Sequence, residues 1–256
     1  MFKTILGFII ALTSLYADPI QLEMEPVPFG QVTTLLTDIE GTTTSISFVH
    51  DVLFPYAKQH VGQYLLDHQN EPTIRQIIQD VNQLAGTPDA TVEQTAATLH
   101  SWMEQDKKIT PLKTLQGFMW EDGYNRGDFQ AHLYLDAYQH LNAWKEQGLT
   151  LYVYSSGSVL AQKLLFSHTT YGDITPLFSG YFDTKIGGKK EAASYSTIAQ
   201  KIGVPPQEIL FLSDSIDEVN AAQAAGMQTV FICRDGTIPA GCNHLTVTSF
   251  DPIHIN

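Results

Sequence analysis

Asp38 and Glu40 stand two residues apart where an apolar run gives way to turn residues, in Asp38-Ile39-Glu40-Gly41-Thr42. Ser155 and Ser156 follow a second apolar run, and Ser213 and Asp214 follow a third. Lys189 opens a helical stretch between those two. Two carboxylate clusters, a hydroxyl pair and a lysine suit a phosphate group held with Mg2+. Mg2+ favours carboxylate oxygens and keeps several waters. Phosphate favours helix N-termini, hydroxyls and a cation. Asp38 is the candidate nucleophile, because a carboxylate that attacks phosphorus forms an aspartyl-phosphate and divides hydrolysis into two easier steps. Glu40 has the reach to protonate the leaving oxygen and then to deprotonate the hydrolytic water. Ser155 or Ser156 would bond phosphoryl oxygens, Lys189 would balance their charge, and Asp214 would be a distal metal ligand. Asp217 and Glu218, in the first turn after Asp214, are read as structural, since acids there suit the helix dipole.

Each piece alone has an ordinary reading. The Asp-x-Glu-Gly-Thr string fits a surface turn. Ser-Ser-Gly-Ser fits a helix N-cap, as does Asp214. Lys189 alone fits a solvated lysine. The conjunction carries the argument, because every member directly follows a strand or starts a helix.

The elements that must position them are legible as strands and helices in alternation. Residues 31–39 (QVTTLLTDI), 149–154 (LTLYVY), 208–213 (EILFLS) and 227–233 (MQTVFIC) read as buried strands. Helical spacing is kept by Phe48, Val49, Val52, Leu53 and Tyr56, and by Ile74, Ile77, Ile78, Val81 and Leu84 with Pro72 before and Gly86 after. A third stripe, Val92 to Met103, opens with a Thr91/Gln94 capping box. A fourth runs from Phe129 to Trp144, with Asp128 placed to cap it. Residues 159–167, 189–202 and 216–225 complete the helices. Strands alternating with helices mean a parallel sheet with right-handed crossovers, and such sheets bind ligands beyond the carboxyl ends of their strands. The expected fold is therefore an α/β parallel-sheet core, residues 30–46 and 125–250, with a helical cap inserted at 47–124.

Composition narrows the partners. Lys plus Arg total 14 against 27 Asp plus Glu, a net charge of −13. Such a surface repels a polyphosphate backbone, and the only adjacent basic pairs are Lys107-Lys108 and Lys189-Lys190, so nucleic acid is excluded as a partner. Two cysteines, Cys233 and Cys242, build no disulfide framework. They are two free thiols or one bridge. P-loop, zincin and Gly-x-Ser-x-Gly motifs are absent. His132 and His140 are read as structural. Residues 1–17 (MFKTILGFIIALTSLYA) have the outline of a secretory signal peptide, too short to span a bilayer, and no later stretch is long enough to anchor the chain.

The run from Asp38 to Thr43 through Phe48-Val49 and Leu53-Phe54-Pro55-Tyr56 resembles the enolase-phosphatase family of methionine salvage, a branch of the haloacid dehalogenase superfamily. The resemblance continues at Leu112-Lys113-Thr114-Leu115-Gln116-Gly117 with Trp120, at Tyr154-Ser155-Ser156-Gly157-Ser158, at Phe182-Asp183-Thr184 with Lys189, and at Phe211-Leu212-Ser213-Asp214. It spans about residues 30–235. The resemblance implies a haloacid-dehalogenase-like fold and a Mg2+-dependent, usually monomeric enzyme acting on a phosphorylated small molecule. The implied reaction takes 2,3-diketo-5-methylthiopentyl-1-phosphate to 1,2-dihydroxy-3-keto-5-methylthiopentene, enolisation first and phosphate release second. By position, Asp38, Glu40 and Asp214 match metal-binding residues, and Ser155, Ser156 and Lys189 match substrate-binding ones. Glu40 is the candidate enolisation base, and residues near Phe48, Trp120 or Tyr124 are expected to shape the methylthio pocket. The family is cytoplasmic, whereas a cleaved leader at 1–17 would export the protein. The alternatives are a general phosphatase of the same superfamily and a non-catalytic metal- or phosphate-binding protein.

Overall fold

The computed structural model describes residues 27–29 and 31–255. The leader expected at residues 1–17 lies outside them. Strand β1 (Val27–Pro28) is followed by β2 (Thr34–Thr37). A short helix α1 (Ile46–Phe48) passes through a π-helical stretch, Val49–Leu53, into α2 (Phe54–His68). Helices α3 (Pro72–Ala85), α4 (Val92–Glu104), α5 (Thr110–Arg126) and α6 (Leu135–Glu146) come next. The chain then alternates: β3 (Thr150–Tyr154), α7 (Val159–Ser167), β4 (Phe178–Phe182), α8 (Ala192–Ile202), β5 (Ile209–Ser213), α9 (Ile216–Ala224) and β6 (Gln228–Ile232). Strands β7 (Thr246–Val247) and β8 (Ile253–His254) end it.

Six strands pair in the order β4-β3-β2-β5-β6-β7, every neighbour parallel. β2 therefore lies near the centre, with Leu35 packed in the core on one face and Leu36 in the core on the other, both wholly buried, as are Leu151, Leu210 and Val230 of β3, β5 and β6. That is why these strands read as near-continuous apolar runs. One apolar core packs the sheet against α6 and α7, through residues such as Leu141, Trp144 and Phe166. A second encloses Ala57, Val61, Leu65, Ile74, Leu99 and Leu115 of α2 to α5. Trp120 packs against both, and its Nε1 donates to the Leu53 carbonyl at 2.8 Å.

Most local signals are seen as expected. Gly86 closes α3 in the left-handed conformation, and Thr91 and Gln94 make the reciprocal capping box of α4. Two expectations are corrected. The helix placed from Asp128 onward begins only at Leu135; Asp128 instead accepts from Tyr56 Oη at 2.7 Å and pairs with Arg126, which fixes it to α2 and α5. The helix placed from Lys189 begins at Ala192, leaving Lys189 in the preceding turn. Helix α5 and edge strand β4 were not anticipated. In β4, Ser179 and Gly180 interrupt the apolar run. In α5, polar residues face inward, so the amphipathic signal is lost.

Arg234, just past β6, ties distant parts of this frame together. Its Nε and Nη2 both donate to the Thr42 carbonyl, and its Nη1 donates to Asp136 at 2.7 Å. The same Asp136 oxygen accepts the Phe250 amide at 2.7 Å. The guanidinium also lies 4.0 Å from the centre of the Tyr134 ring.

Candidate active site

The carboxyl ends of β2, β3 and β5 bring the sequence-predicted residues to one edge of the sheet. Asp38 follows β2 directly, and its amide donates to the Leu212 carbonyl of β5 at 2.9 Å. The side chain is 5% exposed, so its charge needs a partner. Lys189 supplies one: Nζ lies 2.5 Å from Asp38 Oδ1 and 2.8 Å from Glu218 Oε2. Glu218 also accepts from Ser213 Oγ at 2.9 Å. The lysine is held in turn by Tyr195, whose buried hydroxyl donates to the Lys189 carbonyl at 2.7 Å. Glu40 accepts from Ser155 Oγ at 3.2 Å, and Ser155 Oγ accepts from the Gly157 amide at 3.1 Å. Asp214 comes in from β5, its amide donating to Thr42 Oγ1 at 3.0 Å. Gly41 must be a glycine here. Its φ of +74° is left-handed, and a Cβ would lie 2.0 Å from Asp214 Oδ2. Ser156 is exposed beside the others, its carbonyl accepting from Lys113 Nζ at 3.1 Å.

Four carboxylates thus share one ammonium. The electrostatics follow from burial and crowding. Burial, reinforced by Asp38, pushes Glu218 and Asp214 each up to about 7. The same two causes, in the same order, raise Glu40. Burial works to lower Lys189, but Asp38 and Glu218 outweigh it and hold the ammonium above its ordinary value. Beside Glu40 opens a cavity of about 700 Å3, walled by the π-helical stretch, by α5, and by the loop and first turns of α7. Glu40, Ser155 and Ser156 line its floor, and Trp120 and Tyr124 its wall. A buried carboxylate paired with a lysine, a hydroxyl-lined loop and an adjoining cavity can together hold and cleave a phosphate ester.

A family model described as haloacid dehalogenase-like hydrolase matches residues 32–226. The Enolase-phosphatase E1 of Pseudomonas syringae pv. syringae is 52% identical over 219 residues, covering 86% of this chain and 96% of that protein. The chain belongs to the enolase-phosphatase family. It is a phosphatase of the haloacid dehalogenase-like hydrolases. The Enolase-phosphatase E1 of Thioalkalivibrio sulfidiphilus is 54% identical over 202 residues, 79% of this chain and 90% of that one. Among solved structures, the UTR4 protein of Saccharomyces cerevisiae superposes with a TM-score of 0.74 at 34% identity, covering 86% of this chain and 99% of that one.

Against that family background, Glu218, Tyr195 and Lys113 are the site residues that sequence reasoning missed. Glu218 was read as dipole chemistry only, yet it is the second anchor of Lys189. Asp217 is exposed and pairs with Lys190 on the surface, as that reading held. His132 Nδ1 accepts the Ser45 amide at 2.9 Å, a structural role. His140 finds a carboxylate that spacing did not reveal, Asp251, at 3.2 Å. Cys233 and Cys242 are free thiols.

The donor set suits a hard divalent cation, since an excess of carboxylate charge with raised proton affinity is what such an ion relieves. Among the described residues no three acidic, histidine or cysteine side chains converge on one metal-sized point. Asp38 and Asp214 are the carboxylates that would hold such an ion, and Mg2+, which keeps several waters, suits so few protein ligands.

Proposed function

We propose that this enolase-phosphatase converts 2,3-diketo-5-methylthiopentyl-1-phosphate to the acireductone 1,2-dihydroxy-3-keto-5-methylthiopentene and phosphate, in methionine salvage. The observation that carries the reading is the convergence of Asp38, Lys189 and the Glu40–Ser155 pair at one sheet edge, open to a cavity with an apolar wall. Asp38 is the nucleophile. Lys189 orients it and offsets the approaching phosphate's charge. Ser155 and Ser156 receive phosphoryl oxygens. Glu40, whose carboxyl burial and the nearby Asp38 hold above its ordinary value, protonates the ester oxygen as the P–O bond breaks, then takes a proton from the water that hydrolyses the aspartyl-phosphate. Asp38 and Asp214 would hold Mg2+, with Glu40 beside them, and the ion would supply charge neutralisation on the phosphoryl group. Helices α2 to α5 serve as a cap, residues 47–124, closing the cavity over the tail of the substrate.

The protein acts as a monomer in the cytoplasm, where a phosphorylated sugar-derived substrate is made. No helix among the described residues is long and apolar enough to cross a membrane. N-terminal sequencing of protein recovered from cell fractions tests the compartment directly.

The deciding assay follows phosphate release and acireductone absorbance together, on the diketo phosphate with Mg2+, using full-length protein. Both signals are expected, and both disappear in Asp38→Asn. Phosphate without acireductone would leave only a general phosphatase. Neither signal from folded protein would indicate a binding protein.

A further inference from the structure

Enolisation needs a base and also a donor for the oxygen that becomes negative. Comparing substrate with product fixes which oxygen that is. The carbon bearing the phosphate loses a proton, its C–H electron pair becomes the new C=C bond, and the neighbouring carbonyl's π pair moves onto oxygen. The developing oxyanion therefore sits one carbon from the phosphate ester and must find its donor beside the phosphate loop.

Helix α5 presents Lys113, Gln116, Trp120 and Tyr124 to the cavity, at offsets of 3, 7 and 11 residues, which is one helical face. Gly117 of this helix lies against α7, next to Leu160. Lys113 ties the start of the face to the phosphate loop through the Ser156 carbonyl, and this ammonium bond is already made. One turn on, Gln116 is 7% exposed and lines the cavity, yet its amide has no hydrogen-bond partner among the described residues. Unlike the hydroxyl of Tyr124, this amide is not sealed off, so its N–H groups are free to meet a ligand in the cavity. The other hydroxyl on this face does not compete. Tyr124 Oη is also unpartnered but is sealed from the cavity. It lies eight residues further along, about 12 Å at the helical rise. Ser155 is engaged by Glu40 and by Gly157.

We infer that the Gln116 side-chain amide is a catalytic group of the enolisation, donating its N–H to the C2 oxygen as Glu40 takes the proton from C1 on the opposite side of the substrate. A solvent proton converts the enolate oxygen to the enol before the ester is cleaved, while the proton taken from C1 stays on Glu40 for delivery to the ester oxygen. The inference rests on the diketo-phosphate reading and assigns the electrophile within it.

The test uses a phosphonate analogue of the diketone, which enolises but cannot be hydrolysed. Loss of its C1 proton signal in D2O is followed by NMR for the wild type, Gln116→Met and Gln116→Leu. Both variants keep an apolar stem of similar size and remove the donor. Exchange is expected to fall about 10²- to 10³-fold, the usual loss for one oxyanion donor. Turnover of a simple phosphomonoester is measured alongside, and the loss of exchange should exceed any loss there by at least about 10²-fold, the lower end of that range. Wild-type exchange in either variant overturns the assignment. Equal losses on both substrates also overturn it, because they would mark a structural role. Absence of exchange in the wild type itself refutes the diketo-phosphate reading, a separate result from failure of the Gln116 assignment.

Discussion

Gly41→Ala isolates the contribution of one methyl group to the active site. The added Cβ would sit 2.0 Å from Asp214 Oδ2, 2.5 Å from Cγ and 3.1 Å from Cβ. A relaxed contact needs roughly 3.5 Å, so the Asp214 carboxylate must retreat by at least about 1 Å. Its amide is tied to Thr42 Oγ1, so the side chain must rotate rather than the strand shift. A displacement of that size at a reacting centre costs on the order of 10²-fold in rate, about 3 kcal/mol of transition-state stabilisation. The backbone adds its own penalty of roughly 1–2 kcal/mol of stability, because alanine at φ +74° is strained. Gly86→Ala separates the two effects. Its φ is +73°, the same backbone conformation, with nothing within 4 Å of the added carbon. Both variants should therefore lose about 1–2 kcal/mol in urea unfolding. Only Gly41→Ala should lose about 10²-fold in kcat/KM and require more Mg2+ for half-maximal activity. A Gly41→Ala enzyme with wild-type kcat/KM and Mg2+ dependence would refute the placement of Asp214 against the Gly41 main chain.

Two further outcomes follow from the carboxylate cluster. Glu218 and Asp214 are pushed up to about 7 in the folded, metal-free protein, far above their unfolded values, so the folded state binds more protons between roughly pH 4 and 7. Metal-free stability should accordingly fall as pH rises through that window, by up to about 3 kcal/mol from Glu218 alone. Saturating Mg2+ should restore it most at the alkaline end, as read by urea unfolding at pH 5.5 and 8; a metal-free protein no weaker at pH 8 contradicts this account. Lys189→Met leaves Asp38 and Glu218 buried without their cation, and should cost about 3–5 kcal/mol at pH 8. The loss should be smaller at pH 5.5, where Glu218 takes up a proton; an equal loss at both values would argue against the ion pair as its cause.

The polar ends of the strands were readable in the sequence because a central parallel strand must be apolar throughout. The polar residues that follow Leu36, Tyr154 and Leu212 therefore mark the sheet edge, and Asp38, Ser155 and Asp214 lie there. The alternation of strands with helices and the long helical excursion after β2 were readable from the same apolar pattern. Glu218 was not, since an acid in a helix's first turn has a sufficient local explanation in the dipole. What distinguishes it is a lysine 29 residues earlier, a contact that only the fold creates. Helix α5 was missed because amphipathic reading assumes that polar residues face water, and here Lys113 and Gln116 face an internal cavity. Asp128 misled for the opposite reason. It is an excellent cap residue used as the partner of Tyr56 and Arg126.

The clamp made by Arg234 sets an order on how the enzyme is made. The Thr42 carbonyl, two residues past Glu40, is held by an arginine 192 residues later, and that arginine shares its aspartate with the amide of Phe250. Asp38 and Glu40 leave the ribosome well before the arginine that fastens their loop, and Lys189 and Asp214 arrive in between. A nascent chain thus carries the Asp38 loop without the contacts that fasten it until Arg234 and Phe250 have emerged.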